Sequence, residues 1–339
     1  MRFDAPQALC YDVGIMAQLP LKIGVVGVGR VGTLHAQIYA RLPEVTVAHV
    51  CDVDAERAAQ VAGETGAAPC TNFRRLFGQV DAVSLAVPTT AHYAIARAFL
   101  KRGMHLLVEK PLATSLRQAD ALVALAEGHR AVLHVGHVER FNPAIRAMQP
   151  LLTRPRFVEC HRLSPYPHRS TDISVVMDVM IHDLDIIATW ITAPLKRVDA
   201  VGLRVLSSSE DIANARLEFA DGAICDVTAS RVSPEVMRKI RLFLDDAYCS
   251  IDYKQQTVEL YRKADGQIVK EPLPTDGVQP LEAELAAFVA SVRQHQAGGV
   301  STAQRPASGI EGRRAIELAL LIERKIRARA KRWNTSAPT

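Results

Sequence analysis

Short apolar runs rich in β-branched residues recur along the first part of the chain, and each is followed by a segment with helical periodicity. The runs occupy residues 22–26, 45–50, 80–87, 104–108 and 131–135. Continuous runs of this kind are typical of strands that are buried on both faces. Their alternation with helices predicts an α/β domain built on a doubly wound parallel sheet.

Beyond the fifth run the pattern changes, because several strands follow one another without helices between them. Two Asp-Gly pairs, at 221–222 and 265–266, are typical of hairpin turns. This order predicts an α+β second domain with a mixed, mostly antiparallel open sheet. We expect an N-terminal arm over 1–20, a first domain over 21–138 and a second over 139–339. Strands are predicted at 156–163, 198–206, 214–219, 223–230, 239–244 and 257–262, and helices at 143–152, 175–192, 281–296 and 310–329.

Three glycines follow the first apolar run in the spacing G-x-G-x-x-G, at Gly27, Gly29 and Gly32. The first allows a tight turn, the second lets a pyrophosphate approach the backbone, and the third lets the next helix pack closely. Arg30 and Val31 lie between the last two glycines, where the first helical N–H groups face the phosphates. The five residues predict a Rossmann-type dinucleotide site; the alternative is a glycine-rich turn in an unrelated α/β domain.

Asp52 follows the second run, 20 residues beyond Gly32. An acidic side chain at this spacing accepts hydrogen bonds from an adenosine ribose. Because its charge repels a 2′-phosphate, NAD is the expected cofactor and NADP is disfavoured. The alternative interpretation of Asp52 is a solvated loop residue without a ligand.

Further polar residues follow later runs, at the edge of a parallel sheet where ligands bind. Thr89 and His92 come after the third run, and Glu109 and Lys110 come after the fourth. All four are expected to contact the cofactor. A partly desolvated Lys110 would hydrogen-bond both the nicotinamide ribose and the reacting hydroxyl; the alternative is a strand-end lysine that reaches solvent.

Asp178, His182 and Asp185 lie at positions i, i+4 and i+7 of one predicted helix and therefore share a face. The helix is otherwise strongly apolar, so these groups need partners or a chemical task, and His182 is a candidate proton acceptor. One alternative is a buried, hydrogen-bonded histidine. Another is a metal site with His161 or His168 as a further ligand, which is disfavoured because the spacings do not resemble a tetrahedral cluster.

Composition limits the class of protein. The chain has 339 residues, of which 48% are hydrophobic and 23% charged, and its net charge is +5. These values are typical of a soluble globular protein of two domains. The six cysteines are scattered without a C-x-x-C pair, which favours a reducing compartment. We find no bilayer-spanning apolar run and no secretory signal, so a cytoplasmic location is expected. The last helix ends in a cluster of basic residues, which we interpret as a solvated helix end rather than a nucleic-acid site.

The glycine motif, the Glu-Lys-Pro sequence at 109–111 and the pair Asp178…His182 resemble the glucose–fructose oxidoreductase / inositol dehydrogenase (Gfo/Idh/MocA) family over residues 22–325. The resemblance implies an NAD-dependent oxidoreductase that acts on a CH–OH group of a sugar or sugar nucleotide. It also implies that Lys110 touches cofactor and substrate and that His182 is the acid/base. Together with the open sheet, it favours a homodimer or homotetramer.

Two further stretches, 136–143 and 162–185, are similar to the family members that oxidise C3 of UDP-N-acetylglucosamine. Those enzymes supply a 3-keto sugar nucleotide for amination in lipid A assembly. A free polyol, an aldose or the uronic-acid form of the sugar nucleotide is an alternative substrate. A non-catalytic NAD-binding sensor is the alternative of another class, and the presence of Lys110 together with His182 argues against it.

For a sugar-nucleotide substrate, arginines near the loop that enters the catalytic helix are the expected diphosphate ligands. Arg162 and Arg169 are the main candidates for charge-assisted hydrogen bonds, and Arg140 is a further one. Surface ion pairing is the alternative for each. Asp172 and Asp178 complete the expected substrate contacts, and Asp178 is also expected to orient the catalytic imidazole. No metal is expected.

Overall fold

The computed structural model describes residues 19–152, 154–166, 173–264, 266–299 and 305–335. Strands alternate with helices in the first part of the chain, whereas strands dominate the second. The elements of the first part are β1 (Leu21–Val26), α1 (Arg30–Arg41), β2 (Val45–Cys51), α2 (Ala55–Thr65), β3 (Ala68–Cys70), β4 (Ala82–Leu85), α3 (Thr89–Leu100), β5 (His105–Glu109), α4 (Leu116–Gly128), β6 (Leu133–Gly136) and α5 (Pro143–Met148). Those of the second are β7 (Phe157–Leu163), α6 (Ile181–Trp190), β8 (Leu195–Leu203), β9 (Ile212–Phe219), β10 (Ile224–Ser230), β11 (Met237–Phe243), β12 (Ala247–Asp252), β13 (Thr257–Ala264), β14 (Gln267–Pro272), α7 (Pro280–Gln296), β15 (Ala307–Ser308) and α8 (Gly309–Thr335).

The first sheet has seven strands in the order β15-β6-β5-β4-β1-β2-β3. Its neighbours run parallel apart from β15, which pairs antiparallel with β6. Ile23, Val25, Val83 and Leu106 are completely buried in this sheet, as expected when both faces are covered. The prediction of a doubly wound Rossmann domain is therefore confirmed, and the ends of β1, β4 and β5 meet at one edge.

Local capping explains where two of the helices in this part begin. The side chain of Asp54 accepts the backbone N–H groups of Glu56 and Arg57 at the start of α2. Ser115 accepts the N–H of Gln118 at the start of α4. Both caps satisfy backbone donors that have no partner within the first helical turn.

The second sheet has eight strands in the order β14-β13-β12-β11-β7-β10-β9-β8. Strands β7 and β10 are parallel, and all other neighbours are antiparallel. Along β7 the inward side chains Val158, Cys160 and Arg162 are buried, in alternation with half-buried outward ones. The inward apolar residues join one core with those of α6 and α8. The predicted α+β unit with a mixed, mostly antiparallel sheet is confirmed.

The structure departs from the predicted elements in three ways. Four short strands, β3, β12, β14 and β15, were not expected from the apolar pattern. The helix predicted over 175–192 begins with a π-helical turn, Val176–Met180, and becomes α-helical only at Ile181. Strand β15 returns the chain to the first sheet, so α8 packs beside both α4 and α6. Asp265 and residues 1–18 of the predicted arm lie outside the described residues.

Candidate active site

The three motif glycines differ in what surrounds them. Gly27 has φ +83°, and a Cβ atom there would lie 2.6 Å from the carbonyl oxygen of Ala86. A Cβ atom on Gly32 would lie 1.8 Å from the carbonyl oxygen of Gly27, which no side chain can tolerate. Around Gly29 nothing lies within 4 Å. Two glycines are thus needed for the turn itself, and Gly29 leaves the open space that a pyrophosphate requires.

Gly27 and Gly29 open onto a groove of about 670 Å³ that Arg30, Val31 and Asp52 also line. The Asp52 carboxylate is buried and accepts backbone N–H groups from Val28 and Asp54, at 2.8 and 3.0 Å. The groove therefore joins a phosphate-sized opening at the helix N-terminus to an acidic group one strand away. This is the arrangement that binds the pyrophosphate and adenosine ribose of a dinucleotide.

Thr89 and His92 do not line this groove, contrary to the sequence expectation. Thr89 begins α3 and lines a separate cavity with Pro111. The imidazole of His92 is buried, with Nδ1 2.8 Å from the carbonyl oxygen of Pro111 and Nε2 2.9 Å from that of Val87. Because backbone oxygens occupy both ring nitrogens, His92 positions the loop after β4 and is closed to a cofactor.

Glu109 is fixed at the end of β5 by its neighbours. Its Oε1 lies 3.3 Å from Nε2 of His35, and a Cβ atom on Gly136 would approach the same oxygen to 2.8 Å. Burial disfavours the charged carboxylate, but His35 and Lys110 outweigh burial and leave the pKa of Glu109 below its usual value. Glu109 therefore carries a negative charge beside Lys110. The Lys110–Pro111 peptide bond is cis.

Lys110 and Asp178 meet across the two halves of the molecule. The Nζ atom of Lys110 donates to Oδ1 of Asp178 at 2.8 Å and to its backbone carbonyl oxygen at 2.7 Å. The two side chains are 18% and 19% exposed, so the pair is partly accessible to solvent. Asp178 lies in the π-helical turn, a feature that is frequent at functional sites. The expectation that Asp178 orients the imidazole of His182 is not met, because its carboxylate is directed to Lys110.

His182 is half-buried one turn further along. Its Nδ1 is buried and has no hydrogen-bond partner among the described residues, which leaves Nε2 as the nitrogen available to a substrate. Burial and then the positive charge of Lys110 hold the pKa of His182 well below its ordinary value, with Arg162 and Arg238 adding to the effect. The imidazole is therefore neutral at pH 7, the state in which it can accept a proton.

Arg162 is not free to bind a diphosphate. Its Nε and Nη2 atoms donate to the carboxylate of Asp183 at 3.0 and 2.8 Å, and Nη1 donates to Glu139 at 2.8 Å. The guanidinium is buried and also lies over the ring of Tyr253, 4.8 Å from its centroid. Arg162 thus fixes α6 against β7 and the turn after β6, and the expected diphosphate contact is corrected to a positioning role.

Arg140 is held in a similar way. Its Nε and Nη2 atoms donate to Asp185 at 2.7 and 2.8 Å, and Nη1 donates to Glu311 at 2.8 Å. Asp185 is completely buried, so it serves Arg140 and does not complete a catalytic face with His182. The expected contact between Arg140 and the substrate is therefore also corrected.

Arg169, Asp172 and His168 lie outside the described residues. Within the part of the chain that the structure describes, no group of three or more His, Cys, Asp and Glu side chains could hold a metal ion.

Two residues near the site were not predicted from the sequence. One is Arg238, which follows the alternation of inward residues on β11. The other is His137, whose ring meets that of His182 edge-on at 6.4 Å between centroids.

The chain belongs to the GFO/IDH/MocA oxidoreductases. Residues 21–137 match the description "Oxidoreductase family, NAD-binding Rossmann fold", and residues 151–248 match the GFO/IDH/MocA C-terminal domain. The protein is therefore an NAD-dependent oxidoreductase, as the glycine motif and the groove predict. None of the described helices combines the length and the apolar character needed to cross a bilayer.

Among individual relatives, the chain is 35% identical to UDP-N-acetylglucosamine 3-dehydrogenase of Acidithiobacillus ferrooxidans, over 91% of this chain and 98% of that protein. A solved structure of this enzyme superposes with a TM-score of 0.84 and covers 92% of this chain and 99% of that one. Inositol 2-dehydrogenase 4 of Saccharopolyspora erythraea is 32% identical over 64% of this chain and 66% of its own. Levoglucosan dehydrogenase shares the fold at a TM-score of 0.80 and 18% identity, over 92% of this chain and 98% of that one.

Proposed function

We propose that this chain oxidises the C3 hydroxyl of UDP-N-acetylglucosamine to the 3-keto sugar nucleotide with NAD. The likeness to an enzyme of that name covers 98% of its length at 35% identity. The observation that carries a catalytic function is the contact of Lys110 with Asp178 beside a neutral His182. A sensor that only bound NAD would have no use for this combination of a desolvated base and an ammonium group.

His182, Lys110 and Asp178 each have a separate role in the proposed reaction. Nε2 of His182 accepts the proton of the substrate hydroxyl, which the lowered pKa of the imidazole permits at neutral pH. When bound, NAD supplies the hydride acceptor, held by the glycine loop and Asp52. Lys110 stabilises the negative charge that develops on the reacting oxygen. Asp178 keeps the ammonium group of Lys110 at this position through two hydrogen bonds.

The test is NADH formation, followed by its absorbance, after NAD and UDP-N-acetylglucosamine are added to the purified protein. Myo-inositol, glucose and the uronic-acid form of the sugar nucleotide serve as comparison substrates. His182→Asn should lower kcat by about 10²- to 10⁴-fold, the usual contribution of general-base catalysis. The exposed His129, replaced by Asn, is the matched control and should leave kcat unchanged. Turnover of His182→Asn close to the wild-type rate would remove His182 from the role of base.

We further propose a setting for this activity. The 3-keto sugar nucleotide would be the substrate for amination in lipid A assembly, in the cytoplasm. Residues 21–138 would bind the cofactor, and residues 139–339 would bind the substrate.

We also propose a homodimer or homotetramer that uses the open face of the second sheet. On that face four aromatic side chains lie in register on adjacent strands, with successive centroids 5.4, 5.1 and 5.8 Å apart: Phe157, Phe243, Tyr248 and Tyr261. Light scattering of the purified protein would test the oligomeric state.

A further inference from the structure

Arg238 lies on the inner face of the second sheet, near the start of β11. Its side chain follows the same alternation as the buried Ile240 and Leu242 and is therefore on their side of the sheet. In the antiparallel pairing of β11 with β7, it stands directly opposite Arg162. Unlike Arg162, it is exposed. Arg238 is thus the solvent-accessible member of the inward row of β11.

The guanidinium of Arg238 has no hydrogen bond or ion pair with any part of the chain that the structure describes. The two carboxylates near it, Glu139 and Asp183, already bind Arg162. Partial desolvation, and then repulsion by Arg162, lower the pKa of Arg238. A cation that is repelled by its neighbour and has no carboxylate partner is typical of a site that receives an anion.

Arg238 is also close to the candidate reaction centre. It stands opposite Arg162, which binds Asp183, the residue that follows His182 in α6. In keeping with this placement, the charge of Arg238 is among those that lower the pKa of His182, after burial and Lys110.

Arg238 lines a cavity of about 530 Å³, and the other charged residues of its lining are Arg41, Lys254, Glu139 and Glu282. Both carboxylates have an arginine partner, since Glu139 accepts from Arg162 and Glu282 from Arg41. The cavity is large enough for part of a nucleotide, and Arg238 and Lys254 leave it with more positive than negative charge, which favours a diphosphate.

We propose that Arg238 binds the diphosphate of the substrate and makes the enzyme selective for a sugar nucleotide over a free sugar or polyol. This inference rests on the proposed function, because it takes the substrate to be a UDP-sugar. It replaces the diphosphate contacts expected of Arg140 and Arg162, whose guanidinium groups are held by carboxylates. An arginine suits this role because its planar N–H groups can bind two phosphate oxygens at once.

The test compares Arg238→Gln, Arg238→Lys and Arg241→Gln. Arg241 is the matched control because it lies on the same strand, is exposed on the opposite face and pairs with Glu159. Arg238→Gln should raise the KM for UDP-N-acetylglucosamine and the calorimetric Kd of UDP for the NADH-loaded protein by about 10- to 100-fold, with little change in kcat. Arg238→Lys should recover part of both losses, and Arg241→Gln should match the wild type.

A purely structural role is excluded by a second measurement. The groups whose charges or protonation lower the pKa of His182 are Lys110, Arg162, His137 and Arg238. Arg238→Gln removes one positive charge, so the acid limb of kcat/KM should move to higher pH, whereas Arg238→Lys should leave the limb near its wild-type position. A limb that stays in place for Arg238→Gln would contradict the placement of Arg238 near His182.

The outcomes separate this inference from the proposed function. If the wild type oxidises UDP-N-acetylglucosamine but Arg238→Gln keeps the wild-type KM and the wild-type Kd of UDP, the inference is wrong and the function stands. If UDP binds in an Arg238-dependent manner but UDP-N-acetylglucosamine is not oxidised, the inference is supported and the proposed substrate is wrong. If UDP does not bind the wild type, the inference is wrong.

Discussion

At the residue scale, Lys110 has two proposed roles, to stabilise the alkoxide and to keep the pKa of His182 low, and two measurements on one variant distinguish them. Lys110→Met removes the charge that would stabilise the developing alkoxide, so kcat should fall by about 10²- to 10³-fold. It also removes the largest charge effect on His182, after burial, that keeps the pKa of the imidazole low. Because only neutral His182 accepts a proton, activity is lost as pH falls through its pKa. The acid limb of kcat/KM should therefore shift to higher pH in Lys110→Met.

The control for this prediction is Lys101→Met, which alters an exposed lysine at the C-terminal end of α3. Its rate and its pH profile should equal those of the wild type. If Lys110→Met loses activity but keeps the wild-type acid limb, then Lys110 acts on the substrate without controlling the protonation of His182. A residual rate within a few-fold of the wild type would contradict both roles.

At this scale the sequence selects the candidate reactive groups more readily than it predicts their partners. Glu-Lys-Pro after a buried strand and Asp-x-x-x-His on an apolar helix make Lys110 and His182 candidates before any contact is known. The partners of Arg140 lie 45 and 171 residues away, so no local spacing could predict them. For Arg238 a signal existed, because a charged residue stands in register with the inward apolar residues of its strand.

At the scale of elements, the turn between β1 and α1 depends on the missing side chain of Gly32. Gly32→Ala places a Cβ atom 1.8 Å from the carbonyl oxygen of Gly27, so the start of α1 must move. The N–H groups of that first turn would then no longer face the pyrophosphate. We expect a lower Tm and at least about a tenfold higher Kd for NAD, measured by thermal unfolding and by calorimetry.

The matched control is Gly63→Ala in α2, where an added Cβ atom meets nothing within 4 Å. Since alanine favours a helix interior over glycine, this variant should be more stable by up to about 1 kcal/mol and bind NAD normally. Normal NAD binding by Gly32→Ala would show that the turn adapts to a side chain. It would also weaken the assignment of the groove to the dinucleotide.

Elements with a strong local pattern are those that the sequence predicts. The main strands of the first sheet are continuous apolar runs, and α2 and α4 begin directly after the capping residues Asp54 and Ser115. Strand β12 was missed because two of its outward residues, Ser250 and Asp252, are polar and because it follows two consecutive aspartates, 245 and 246. Strand β15 has only two residues and exists because it pairs with β6. Such strands are determined by long-range pairing, which local propensity cannot report.

At the scale of the whole molecule, Arg140 joins the turn after β6 to α6 and α8. Arg140→Met leaves the completely buried Asp185 without its main partner, which should lower the free energy of unfolding by about 3 to 5 kcal/mol. Urea denaturation measures this change. Arg156→Met is the control, because Arg156 and Asp245 form an exposed pair that should contribute less than about 1 kcal/mol.

A double substitution identifies the cause. Arg140→Met combined with Asp185→Leu removes both charges, and it should recover much of the stability that the single change loses, because no buried charge then lacks a partner. If the double variant is as unstable as the sum of the two single variants, the loss comes from packing. The ion pair would then not be what fixes α6 to the first domain.

Acid sensitivity is the last property of the whole molecule that the structure predicts. Burial, and then the charge of Arg305, lower the pKa of His134 from 6.5 to about 3. Below pH 6.5 the unfolded chain therefore binds a proton at His134 that the folded chain does not bind. The contribution of His134 to stability falls by about 1.4 kcal/mol per pH unit as pH decreases toward 3.

His134→Gln should remove this pH dependence of stability, whereas His129→Gln, which alters an exposed histidine, should keep it. Urea denaturation between pH 6.5 and 5 is the decisive window, because groups common to wild type and variant cancel in the difference. Equal slopes for His134→Gln and the wild type in that window would show that the folded protein admits a proton at this position.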